Sequence, residues 1–160
     1  MHLEAIARAC RMRRTKSLHP TAAKGSKMQS DADPTLSEQD LERVVHAFYS
    51  RVRDDALLGP IFDGAIDDWG QHLGKLQAFW SSVMLGSGRY KGQPMVAHVH
   101  QEPHMTPHAF ARWLTLWGET TSELLPPVQA AALQDKAARI AESLALGIAF
   151  HRDRGMATQN

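Results

Sequence analysis

Residues 68–88 read DWGQHLGKLQAFWSSVMLGSG and contain the clearest helix pattern in the chain. Asp67 or Asp68 suits the N-cap, where a carboxylate satisfies free backbone N–H groups and the helix dipole. Gly86 and Gly88 end the pattern. A lone histidine in a buried helix face is more often part of the core than a ligand, and His72 lies in this face. The face comprises Trp69, Leu73, Leu76, Phe79, Trp80, Val83 and Met84.

The preceding stretch predicts another helix. Ser37 followed three residues later by Asp40 matches a capping box. A buried stripe then runs at helical spacing to about Arg53, with Tyr49 at its edge. The stripe comprises Leu41, Val44, Val45, Phe48 and Val52.

Shorter segments join the long helices. Gly59-Pro60 breaks the chain, so Phe62 is expected in a short connection. The glycine-rich residues from Gly86 to Pro94 are expected to form a surface loop. Residues 95–100 have room for only a turn or two of helix, which carries His98.

Two more helices complete the chain. Thr106-Pro107 is a cap followed by proline at the first helical position, and Pro126-Pro127 restarts the chain before a last helix that runs to about Arg152. Their apolar positions are Phe110, Trp113, Leu114, Trp117 and Leu124, then Val128, Leu133, Ala137, Ile140, Leu144 and Ile148. With no strand candidate and no internal repeat, the sequence predicts an all-α fold.

Composition limits the class of protein. A chain of 160 residues with 43% hydrophobic content suits one globular domain. A net charge of +1 gives no general reason to expect nucleic acid or an acidic membrane surface as partner. The single cysteine, Cys10, excludes an intramolecular disulfide, and we expect a cytoplasmic monomer. No run of residues is apolar enough to span a membrane.

Three regions are predicted along the chain. Residues 1–35 form a basic extension whose composition indicates disorder, with Met28 as an alternative first residue. Residues 36–153 form the domain, and residues 154–160 form a frayed tail.

Tyr49, Phe62, His72, His98 and Trp113 together suggest a haem pocket. An iron porphyrin requires a neutral imidazole as axial ligand, an apolar slot, and hydrogen-bond donors on the side opposite the imidazole. Each residue is a weak signal by itself, since buried tyrosines and tryptophans commonly serve as core.

Several segments together resemble the third group of the truncated haemoglobins, in family order from about Leu41 to Arg152. This resemblance implies a two-over-two helical sandwich around non-covalent haem b. The matching segments are Phe48-Tyr49, residues 58–62, residues 69–72, Phe79-Trp80, residues 84–88, residues 90–95 and residues 110–114.

The resemblance implies that His98 is the proximal iron ligand, because it lies four residues after Pro94. The segment is unusually rich in histidine, however, so His100 stays a rival ligand. Tyr49, His72 and Trp113 match the polar distal positions, where they would bind the gas ligand.

Other positions are assigned to the cofactor itself. Phe62, Leu76, Phe79 and Trp80 would form the walls of the slot, although each also suits plain core. Arg89, Tyr90 and Lys91 would lie near the haem propionates, where cations and a phenol suit carboxylates.

The first functional hypothesis is reversible binding of dioxygen and other diatomic ligands, as in oxygen transport. The second is nitric oxide dioxygenation or peroxide reduction, for which a separate reductase would supply electrons. A third hypothesis is a haem-free protein that binds zinc or a similar ion through His98, His100, His104 and His108.

Overall fold

The computed structural model describes residues 35–95, 104 and 106–157, with side chains to residue 151. These residues form helices and no strand, which confirms the predicted all-α class. The helices are α1 (Glu38–Asp54), α2 (Leu58–Asp63), α3 (Trp69–Leu85), α4 (Pro107–Leu124) and α5 (Pro127–Ala157).

The three predicted helix starts are confirmed. At α1, the Asp40 backbone N–H donates to the Ser37 hydroxyl at 3.2 Å, and Asp40 accepts from the Ser37 backbone in return. Of the two candidates at α3, Asp68 is the cap. At α4, Thr106 caps the helix with Pro107 in its first turn. These side chains satisfy N–H groups that lack a partner inside the helix.

The short connection predicted around Phe62 is instead the helix α2. The Asp55 carboxylate accepts hydrogen bonds from the backbone N–H groups of Leu57 and Leu58, both at 3.0 Å. Pro60 is tolerated because the first turn of a helix has no internal partner for its N–H groups. A Cβ at Gly59 would lie 2.5 Å from the Arg53 carbonyl oxygen, so only glycine fits where α2 approaches α1.

Helix α5 continues to Ala157 and passes through Gly155, beyond the end predicted near Arg152. A single glycine in a helix costs only about 1 kcal/mol and does not by itself end it.

The helices pack as two pairs, α1 with α3 and α4 with α5, and α1 also contacts α2 and α4. Phe48 of α1 lies at the centre, with its ring edge-on to Trp113 at 5.0 Å and to Trp117 at 4.9 Å between centroids. The segment after α1 is tied to α4 by an ion pair between Asp55 and Arg112 at 2.7 Å. None of the described helices combines the length and apolarity needed to cross a membrane.

Candidate functional site

A cavity of about 750 Å³ lies among all five helices, α1 to α5, and the loop after α3 contributes to its rim. Its walls are mostly apolar. This volume falls within the range of about 300–1,000 Å³ that is usual for small-molecule and cofactor sites.

Ten of the eleven residues predicted for the site line this cavity. They are Tyr49, Phe62, His72, Leu76, Phe79, Trp80, Arg89, Tyr90, Lys91 and Trp113. The eleventh, His98, and its rival His100 lie outside the described residues. The chain therefore brings together side chains that are up to 64 positions apart, from Tyr49 to Trp113.

The polar side chains Tyr49, His72 and Trp113 form a group at one part of the cavity. The rings of Tyr49 and His72 meet edge to face, with 5.9 Å between centroids. The Trp113 indole donates a hydrogen bond to the Tyr49 hydroxyl. Trp113 has no acceptor capacity, so the Tyr49 hydrogen is not used in this contact.

Burial raises the pKa of the Tyr49 phenol far above its usual value, and the hydrogen bond from Trp113 opposes this effect only in part. The charged phenolate is disfavoured because the low-dielectric interior solvates it poorly. Tyr49 consequently keeps its O–H group at any physiological pH, and it remains a hydrogen-bond donor.

Helix geometry explains how these donors reach one place. Tyr49 follows Phe48, the core residue that contacts Trp113, so the next position on α1 points to the side where the cavity lies. His72 is one turn after the cap of α3, where its backbone N–H donates to the Asp68 carbonyl at 3.0 Å. The capped first turn of α3 therefore fixes the position of His72.

The loop at the cavity rim is held by polar contacts. The Arg89 guanidinium pairs with Glu38 at 3.0 Å, and the Tyr90 backbone N–H donates to the Ser82 hydroxyl at 2.8 Å. The Tyr90 ring packs edge-on against Phe79 at 5.3 Å. Since Arg89 already has a carboxylate partner, Lys91 is the more available of the two cations.

The wall formed by α5 was not predicted as part of the site. Ala137, Ile140, Ala141 and Leu144 line the cavity, whereas the helix pattern predicts Ala137, Ile140 and Leu144 as ordinary core and makes no prediction for Ala141. The two alanines are four positions apart, so they leave room on one helix face. The spacing of these two small residues was the feature of the sequence that could have predicted this wall. His104 also lines the cavity.

The residues present fit a haem group. Haem is a flat, largely apolar molecule with two carboxylates at one edge, and the cavity has apolar walls with Arg89, Tyr90 and Lys91 on its rim loop. The hydrogen-bond donors are gathered around Tyr49, whereas a purely structural cavity would gain nothing from them.

The structure describes only part of the alternative histidine cluster. His104 and His108 belong to the described part of the chain, and His98 and His100 do not. Among the side chains that are described, no group of three or more histidine, cysteine, aspartate or glutamate residues is arranged to hold a metal ion.

Three comparisons relate the chain to known proteins. The family described as bacterial-like globin matches residues 36–145. A protein named Group 3 truncated hemoglobin ctb, from Campylobacter jejuni, is 36% identical over 90 residues, which cover 54% of this chain and 70% of that protein. The crystal structure of a group III truncated hemoglobin from Campylobacter jejuni is similar with a TM-score of 0.63 and 29% identity, over 69% of this chain and 89% of that one.

Proposed function

Because the chain belongs to the bacterial-like globin family, as a group III truncated haemoglobin, we propose that it holds haem b non-covalently in the central cavity and binds dioxygen reversibly. The fold expected from the resemblance, a two-over-two helical sandwich, is confirmed by the structural likeness. Other diatomic gases would bind at the same place.

The observation that carries this proposal is the buried, protonated Tyr49 hydroxyl beside His72 and Trp113 in an otherwise apolar cavity. When bound, haem would supply an iron atom that can bind a histidine imidazole and a diatomic ligand. A donor cluster of this kind suits a ligand that gains negative charge on binding.

The donors act by position and protonation state. Tyr49 donates its O–H toward a ligand, and the indole N–H of Trp113 donates to the phenol oxygen. The site needs no reorganisation to present that donor, because both side chains are fixed by ring contacts with Phe48.

The remaining residues retain the cofactor and exclude water. Phe62, Leu76, Phe79 and Trp80 supply the apolar walls. Lys91 and Tyr90 bind carboxylates at the rim, and Arg89 does so while it is shared with Glu38. His98 binds the iron in this proposal, with His100 as the alternative ligand.

The test is the visible absorption spectrum of the protein expressed with ample haem supply, recorded as isolated, after reduction, and after exposure to dioxygen. We expect a Soret band that shifts on reduction and shifts again with dioxygen. A colourless protein that also fails to bind added haemin would refute the proposal.

The ligand assignment is tested by a matched pair, His98→Ala and His100→Ala. We expect His98→Ala to lose haem on a desalting column and His100→Ala to retain it with an unchanged ferrous spectrum. The reverse result would transfer the role of ligand to His100. A small loss of zinc affinity in both variants, with zinc bound to the purified protein, would instead favour the histidine cluster.

A further inference from the structure

Three of the four tryptophans in the chain form one continuous stack. Trp80 of α3 lies against Trp117 of α4 with centroids 4.5 Å apart and ring planes at 16°. A second near-parallel contact joins Trp117 to Trp113, with centroids 5.5 Å apart and ring planes at 8°. Aromatic pairs in proteins meet edge to face as readily as in parallel, so two successive near-parallel contacts are a specific arrangement.

The middle of the stack is sealed from solvent. Trp117 is 0% exposed and Trp80 is 2% exposed. The Trp117 indole N–H donates to the Leu133 carbonyl oxygen at 3.3 Å. A peptide carbonyl is a very weak base, so the Trp117 indole keeps its proton even if the ring loses an electron.

Both ends of the stack reach the cavity, and the middle does not. Trp113 and Trp80 line the cavity, whereas Trp117 lies behind them. Trp113 is also hydrogen-bonded to Tyr49. A charge that enters one end from the cavity can therefore spread to a ring that no cavity reagent touches.

We propose that the Trp113–Trp117–Trp80 stack is an electron relay, which gives up one electron when the haem-loaded protein meets hydrogen peroxide and then holds the resulting positive charge as a tryptophan radical cation. This proposal rests on haem binding as proposed above. It adds a redox role that ligand binding does not require.

The geometry favours such a charge in two ways. Electron transfer falls steeply with distance, and the three rings are in direct contact. A cation is attracted to the π face of an indole within about 6 Å, and the central ring has such a face on each side. Burial opposes formation of the radical cation, because a low-dielectric interior penalises any charged group. Delocalisation of the positive charge over three rings reduces this penalty.

The step balances as follows. The O–O bond of hydrogen peroxide breaks, and two electrons and two solvent protons convert it to two water molecules. One electron comes from the cofactor and one from the stack. The stack loses an electron and no proton, since the N–H of Trp117 stays on its nitrogen. A small one-electron donor such as ascorbate returns one electron to the stack, and a second molecule of the donor returns the electron that the cofactor gave.

The test is freeze-quench electron paramagnetic resonance of the ferric, haem-loaded protein after mixing with one equivalent of hydrogen peroxide. We expect a tryptophan radical signal that Trp117→Phe largely abolishes, while its Soret band stays that of the parent. An undiminished signal in Trp117→Phe would overturn the relay.

Trp69 provides the matched control, because it is the one tryptophan outside the stack and lies near Tyr49, at 6.3 Å between ring centroids. We expect Trp69→Phe to keep the full signal. Loss of the signal in Trp69→Phe would place the radical elsewhere and refute the proposal.

A further measurement covers the case in which Trp117→Phe does not fold. Trp69→Phe protein grown with ring-deuterated tryptophan contains labelled indoles only in the stack, and its radical signal should narrow. An unnarrowed signal would assign the radical to a tyrosine and overturn the proposal. Because every sample is first shown to carry haem by its Soret band, failure of the relay is distinguishable from failure of haem binding.

Discussion

A single hydroxyl, that of Tyr49, has the most direct influence on the proposed chemistry. The Trp113 indole donates a hydrogen bond to the Tyr49 oxygen, and the raised pKa of Tyr49 keeps the phenol protonated. No other phenol lies near the donor cluster, since the only other tyrosine in the chain, Tyr90, packs against Phe79 at the cavity rim. The chain thus offers two tyrosines with separable roles.

Replacing Tyr49 by Phe should speed the release of dioxygen. The change removes one hydrogen bond to a partly charged ligand, worth about 1–3 kcal/mol, or roughly 5- to 150-fold in rate. Stopped-flow measurement of dioxygen dissociation from the ferrous protein gives the answer.

Tyr90→Phe is the control for that experiment, because it deletes the same atom at the rim. We expect it to leave the dioxygen release rate unchanged and to speed haem loss to an acceptor protein. Equal release rates in the Tyr49→Phe variant and the parent would show that Tyr49 is not the donor.

At the residue scale, the sequence predicted ten of the residues that line the cavity but not its full extent. Tyr49, His72 and Trp113 were predicted as site residues because polar side chains within apolar helix faces suggest a functional role. The structure places them around one cavity. The stacking of Trp117 between its two neighbours was missed. Ring planes depend on how α3 crosses α4, and a one-dimensional pattern contains no crossing geometry.

At the scale of secondary structure, Asp55 links three helices. It follows α1, its carboxylate caps α2, and it pairs with Arg112 of α4. Burial acts to raise its pKa, but the hydrogen bonds from Leu58, Arg112 and Leu57 together hold the pKa of Asp55 below the ordinary value of 3.8. The charged form is therefore the one that stabilises the fold.

Asp55→Ala should lower the free energy of unfolding by about 1–3 kcal/mol, because it removes a helix cap and a charge-assisted hydrogen bond. Asp55→Asn keeps a capping oxygen and should lose less. Urea denaturation at pH 7 measures both. Equal losses in the two variants would contradict the capping role of the side chain.

The same carboxylate predicts a pH dependence. A group whose pKa is lowered by folding contributes stability above its unfolded pKa, and that contribution is lost as the pH falls through its folded pKa. The stability difference between the parent and Asp55→Asn should therefore shrink below about pH 3.8. Urea midpoints of the parent and Asp55→Asn, measured from pH 7 down to pH 3, check this. A stability difference that stays constant over this range would contradict the lowered pKa of Asp55.

Helix starts were predicted better than the short helix α2. Ser37, Asp68 and Thr106 have side chains that make their own capping hydrogen bonds, so the signal is local. Helix α2 begins after Leu57, which makes no side-chain cap, and the carboxylate that serves it belongs to Asp55. Its proline was interpreted as a break, although proline also fits a first helical turn.

At the scale of the whole molecule, the globin match begins at residue 36, and the basic residues before it lie outside the matched segment. Deleting residues 1–30 should leave the unfolding temperature and the haem affinity unchanged, because within the part of the chain that the structure describes the cavity lining begins at Tyr49. Thermal unfolding and haemin titration of the truncated and full chains check this. A truncated protein that loses haem would make the extension part of the domain.

The cavity has one more consequence, which concerns the lifetime of the protein in a cell. Its walls come from five helices and a loop, and they pack fully only against a cofactor that fills the space between them. A ligand that binds only the folded chain stabilises it by mass action, and stability in turn sets how often proteases find an open form. We expect cellular abundance to follow haem supply, so that haem starvation would deplete the protein through turnover and leave little apoprotein behind.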